Sequence, residues 1–141
     1  MTKEIFKDVP GFEGLYQVSN LGNVKSLTRT FWRETVKRHA HWITLDEKLL
    51  SPQKDGQGYL HVRLAKNKKY SLWKVHQLVA ATFLSYDRKD KETQVHHLNS
   101  VKTDNRLENL EVIDSLEHHK VHSRLYQEIK HIKPRKWRKN Q

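Results

Sequence analysis

Between Gln94 and Leu125 the chain spaces histidines and asparagines in a way that suits one metal ion and one proton-transfer group. His96 and His97 are adjacent, Asn109 follows twelve residues after His97, and His118 and His122 stand nine and thirteen residues beyond Asn109. Leu110 to Ile113 alternates weakly and ends β-branched, which predicts a short strand. Asp114 with Glu117 three residues later is a capping-box pattern, so a helix is expected from about Ser115. On that helix His118 and His122 are i and i+4, project from one face, and can chelate one ion as neutral imidazoles. His119 faces elsewhere, while Val121, Leu125, Ile129 and Ile132 form an apolar stripe that packs the helix down. Neighbours in an extended segment point to opposite sides, so one of His96 and His97 can face the ion and the other a substrate. A structural zinc site on His96, His118 and His122 uses the same residues. Such sites close with a fourth protein ligand, however, and the chain has no Cys to supply one. In the polar loop from Asn99 to Glu108, Asp104 and Asn105 are expected to fix the backbone by Asx-type hydrogen bonds.

The elements that must position these residues are legible upstream. Pro10, Gly11 and Gly14 mark a turn, followed by a hairpin with strands Tyr16–Ser19 and Val24–Leu27 around Asn20-Leu21-Gly22-Asn23. Residues 28–48 interleave Arg29, Arg33, Lys37 and Arg38 with Phe31 and Trp32. Two readings fit: backbone contacts in a nucleic-acid groove, or a solvated insertion with Trp32 and Trp42 tucked against the sheet. After a strand end at Leu49-Leu50-Ser51 and a turn at Lys54–Gly58, Tyr59 to Leu64 alternates cleanly. Leu60, Val62 and Leu64 should be buried, with Tyr59, His61 and Arg63 on the open face. Lys66-Asn67-Lys68-Lys69 reads as a basic turn and Tyr70–Trp73 as the returning strand. Val75 to Phe83 has helical periodicity and is expected to buttress the metal-binding segment, with His76 in a packing or hydrogen-bonding role. Tyr86 to Thr93 is a charged connector, and Pro134 ends the last helix. The fold class expected is α+β: a small N-terminal antiparallel sheet region, a helix, a strand–loop–strand–helix metal finger and a basic tail. The divisions are 1–48, 49–126 and 127–141.

Composition narrows the partner. The net charge is +11, from 27 basic against 16 acidic residues in 141, which points to a polyanion, with nucleic acid the default. The segment from Arg124 to Gln141 holds seven basic residues against Glu128 alone, in the manner of tails that order on phosphates. No apolar run approaches a membrane span and the N-terminus lacks a signal-peptide apolar core, so no membrane partner is expected. The absence of Cys excludes disulfides and thiolate metal sites and is compatible with a reducing cytoplasm.

The words V-H-H-L-N (95–99), D-N-R-L-E-N-L-E-V-I (104–113) and H-H-K-V-H (118–122) resemble the HNH nuclease motif, the ββα-metal finger of homing endonucleases, phage nucleases and bacterial DNase toxins. Phe6-Lys7-Asp8-Val9 and the stretch from Gly11 to Val24 resemble NUMOD4, a motif that accompanies many HNH homing endonucleases, with Phe6 where that motif has Trp. This second likeness favours the homing branch, encoded by phages or mobile elements, although His at both 96 and 118 is the toxin branch's choice. The resemblance implies His96, His118 and His122 as metal ligands, His97 as general base, and Asn109 as the residue that orients the base. It implies hydrolysis of double-stranded DNA to 3′-hydroxyl and 5′-phosphate ends, by nicking or double-strand cutting, with one divalent cation. Relatives use Mg or Mn, whereas an all-imidazole set suits Zn, Ni or Co by ligand softness. DNA contacts are expected from Arg29, Arg33, Arg38, His61, Arg63, Lys68, Lys102, Arg106, Arg135, Lys136 and Arg138. Monomer and homodimer both fit. The competing readings are a non-catalytic nucleic-acid-binding protein with a structural metal site and, third, an RNA nuclease.

Overall fold

The computed structural model describes residues 3–37 and 39–114. Among the described residues eleven strands form four antiparallel sheets, accompanied by one α-helix. The first sheet has the order β1-β2-β3-β6, from Phe6–Asp8, Tyr16–Ser19, Val24–Ser26 and Lys48–Leu49. β4 (Arg29–Arg33) and β5 (His41–Leu45) form a separate two-stranded ribbon, and β7 (Gln53–Lys54), β8 (Leu60–Lys66) and β9 (Lys69–Lys74) a three-stranded sheet. Helix α1 (Val75–Phe83) leads to β10 (Thr93–His97), which pairs with β11 (Leu110–Asp114).

The hairpins follow their turn chemistry. Buried Ser19 accepts backbone N–H bonds from Leu21 and Asn23 on its Oγ and donates to Glu4, which fixes the β2–β3 turn. Asn67 and Lys68 both have positive φ, 52° and 61°, as a two-residue turn between right-twisted strands requires. Sequence pattern alone does not reveal β1, which pairs with β2 through Phe6↔Ser19 to Asp8↔Gln17. Its residues do not alternate in polarity, and only the partner strand defines it.

One core joins these pieces. Val9, which follows β1, and Tyr16, Val18 and Val24 of the first sheet pack with Val62 and Leu64 of β8, with Val75, Leu78 and Val79 of α1, and with Leu110 of β11. Leu64, Leu78 and the valines at 9, 18, 75 and 79 are fully buried, each stabilising the fold by about 1.5–3 kcal/mol. The Tyr16 hydroxyl accepts a hydrogen bond from Ala65 N–H at 3.0 Å, and Arg29 lies over that ring, 5.0 Å from its centroid. As the alternation predicts, Val62 and Leu64 face in and Arg63 faces out.

Two expectations fail. Tyr59 is not on the open face of β8: it precedes the strand, closing the β7–β8 turn by backbone bonding with Asp55, and its ring turns toward His76 and His97. Gly58, at φ +90°, redirects the chain there, so the period-two pattern starts one residue later than the sequence suggests. Nor are Trp32 and Trp42 tucked against a sheet. They are 49% and 67% exposed and pair across the ribbon edge-to-face, with centroids 5.3 Å apart.

Candidate active site

β10 and β11 carry the site. Their register sets His96 opposite Glu111 and His97 opposite Leu110. Strand alternation sends the adjacent histidines to opposite faces, as expected. His97 turns toward the core and is 6% exposed. Its Nε2 lies 2.9 Å from Asn105 Oδ1. An amide oxygen can only accept, so this contact selects the Nε2–H tautomer and leaves the lone pair of the neutral ring on Nδ1. Ring neighbours complete the enclosure: His76 at 4.9 Å between centroids, inclined by 63°, and Tyr59 at 6.0 Å, inclined by 33°.

The loop after His97 is held by Asn109, by a route other than direct contact with the ring. Asn109 accepts Leu98 N–H on its backbone oxygen at 2.8 Å and Asn99 N–H on Oδ1 at 3.1 Å. Its Nδ2 donates to Asn99 Oδ1 and to Asp104 O, both at 2.9 Å. Asn109 therefore sets the backbone that follows His97, while Asn105 sets its ring. This corrects the Asx-turn expectation for Asn105, although Asp104 keeps such a role by bonding Arg106 and Asn99. The Arg106 guanidinium holds the Asp104 carboxyl well below the usual carboxylate range. Two asparagines in one polar loop cannot be told apart by spacing alone, because which of them reaches the ring depends on the loop's path.

That path is braced from outside. Leu107 N–H donates to Asn20 O at 2.7 Å. At Gly22, whose φ is +87°, a Cβ would meet Asn105 Cβ and O at 3.0 Å. The turn of the N-terminal hairpin thus touches the residue that contacts His97. Lys102 closes a second side, donating to Gln57 O at 2.8 Å and standing 4.8 Å from the Tyr59 ring centroid, with Lys74 at 4.5 Å.

The remaining predicted residues divide by surroundings. Arg33, Arg63 and Lys68 are exposed, with Arg63 over Tyr70. Arg29 is half-buried and donates to Ser26 Oγ and Leu15 O, so much of its hydrogen bonding is internal. His61 is half-buried, with Nδ1 unpartnered among the described residues. Arg106 bridges Asp104 and Glu108 at 2.8 and 2.7 Å, which occupies the guanidinium with carboxylates. Arg38, His118, His122, Arg135, Lys136 and Arg138 lie outside the described residues. Among the described residues no group of three His, Asp or Glu side chains could hold a metal ion. His96 can contribute one imidazole there from the face opposite His97. With His118 and His122 the donor set would be three neutral nitrogens with room for further ligands, which fits a divalent transition metal. No helix among the described residues is long and apolar enough to cross a membrane.

Residues 4–65 match the NUMOD4 motif and residues 74–120 the HNH endonuclease family. An uncharacterised HNH endonuclease of Acanthamoeba polyphaga mimivirus is 37% identical over 117 residues, covering 81% of this chain and 25% of that protein. The solved structure of the HNH homing endonuclease I-HmuI, a study of DNA binding and cleavage, superposes with a TM-score of 0.62 and 28% identity. It covers 87% of this chain and 59% of the solved one. The chain thus spans a quarter of the viral relative's length. The chain thus carries a NUMOD4 motif that runs from β1 into β8 and an HNH endonuclease domain that takes in α1, β10 and β11.

Proposed function

We propose that the chain hydrolyses phosphodiester bonds of double-stranded DNA, with His97 as the general base and a divalent cation at His96, His118 and His122. The observation that carries this reading is the 2.9 Å contact between His97 Nε2 and Asn105 Oδ1, which directs the basic Nδ1 away from its own anchor. Nδ1 takes a proton from a water molecule, and the oxygen attacks phosphorus in line as the bond to the 3′-oxygen breaks. The products are a 3′-hydroxyl and a 5′-phosphate. When bound, the cation supplies charge stabilisation at the phosphate and at the leaving oxygen. Slight exposure of His97 is compatible with this role, because the group it must reach is a single water and not the duplex itself. Arg33, Arg63 and Lys68 are exposed and fit phosphate contacts that fix register. Arg106, spent on two carboxylates, fits a loop brace better.

The test is cleavage of supercoiled plasmid with added Mg, Mn, Ni or Zn and a chelator control. Wild type should give nicked or linear product that chelator abolishes. His97→Ala should lower the rate by about 10²- to 10⁴-fold while leaving DNA affinity near wild type. Product formation by His97→Ala at the wild-type rate refutes the role of the base. No product with any metal favours a non-catalytic DNA-binding protein.

A further inference from the structure

His76 is a buried titratable ring that the proposed reaction does not use. It stands at the second position of α1, is 6% exposed, and its Nδ1 has no hydrogen-bond partner among the described residues. Its ring lies against His97, at 4.9 Å between centroids, and against Tyr59, at 5.1 Å and inclined by 40°. Tyr59 in turn meets His97, so the three rings close a triangle. The helix beneath is anchored by Val75, Leu78, Val79 and Ala80, all fully buried. A single hydrogen bond from Nε2 leaves an imidazole free to swing about that bond. Two ring contacts of defined inclination, one of them mounted on a fixed helix, remove the freedom.

We infer that His76 is a positioning residue: its planar ring holds the His97 imidazole at the angle from which Nδ1 meets the attacking water. The inference rests on His97 being the base. Burial, followed by the nearby His97 and Lys74, pushes the pKa of His76 down to about 3, so the ring is a neutral wall and not a rival proton acceptor at neutral pH. A histidine that only filled the core would, when truncated, cost stability and leave the turnover of the folded fraction unchanged.

The experiment compares wild type, His76→Ala, His76→Phe, His97→Ala and the double alanine variant. It measures kcat and KM for plasmid cleavage with Mg or Mn, DNA affinity in chelator, and folding by circular dichroism. Folded His76→Ala should lose about 10- to 100-fold in kcat with KM and affinity within about twofold, as a misoriented catalytic group does. His76→Phe should restore kcat to within about threefold, and His76→Ala should add no loss to His97→Ala. NMR relaxation of the His97 ring C–H groups should find a rigid ring in wild type and His76→Phe and a larger angular excursion in His76→Ala, with the Nε2–H tautomer set by Asn105 kept in all three. Unchanged kcat in His76→Ala, a Phe variant no better than Ala, or a His97 ring equally rigid in His76→Ala overturns the inference. If the alanine variant does not fold, His76→Leu, of similar bulk without a planar ring, takes its place with the same two outcomes. Failure of the underlying reading is distinct, since it would leave His97→Ala active or wild type inactive, and the mobility of the His97 ring decides on His76 in either case.

Discussion

Acid should destabilise this fold in a way that one substitution removes. In the folded chain the pKa of His76 is lowered from 6.5 to about 3, first by burial and then by His97 and Lys74, with Asp55 opposing. A depressed histidine pKa means that between those two values the unfolded chain binds a proton the folded chain refuses, so stability rises with pH across that window. Above pH 6.5 both states are neutral and the effect vanishes. At pH 5.0 the window has been crossed by about 1.5 units, and at 1.36 kcal/mol per unit the loss is about 2 kcal/mol. That is a large fraction of the roughly 5–15 kcal/mol that holds a domain together. The assay is urea unfolding at pH 7.5 and pH 5.0 for wild type and His76→Phe, which keeps the ring volume and cannot titrate. The difference in pH dependence between the two proteins should correspond to about 1 M in urea midpoint for a small domain's slope. Other groups cancel in that comparison. Equal losses in both proteins between pH 7.5 and 5.0 would refute the reasoning.

Two further perturbations test the architecture of the site. Asn105→Ala removes the acceptor at His97 Nε2 and should lower the cleavage rate by about 10- to 100-fold at constant DNA affinity, while Asn105→Asp, which keeps an oxygen there, should recover part of it. Wild-type rates in Asn105→Ala would mean that the ring needs no such anchor. Gly22→Ala forces a side chain into a left-handed backbone at φ +87° and against Asn105 at 3.0 Å, and should destabilise the protein by about 1–3 kcal/mol in thermal or urea unfolding. An unchanged melting curve would show that the turn yields without cost.

Where a pattern is local, the sequence was a good guide. Val75 to Phe83 is a helix with the bounds its periodicity predicts, and β2, β8, β9 and β11 fall within one or two residues of expectation. The adjacent histidines and the strand on each side of the loop were likewise legible, because alternation and spacing are properties of a few consecutive residues. What sequence reasoning missed depends on contacts distant along the chain. Tyr59 reaches His97 from 38 residues away, and His76 from 21. Asn105 was assigned to the loop because asparagine in a polar stretch usually bonds its own backbone. Only the close approach of Gly22 and the bond from Leu107 to Asn20 O set the path that swings it onto the ring. The paired tryptophans were ambiguous for the same reason, since nothing in their own segment says whether a sheet lies beside them.

The meeting of Gly22 with Asn105 also bears on how such a protein can be assembled by recombination. A splice that fused this HNH segment to an unrelated leader would bring in a foreign bend at the seam, and any substituent there would press on the amide that steers the imidazole. Exchange of parts among these enzymes should therefore move the glycine bend and the asparagine as an inherited set, even though more than eighty residues lie between them.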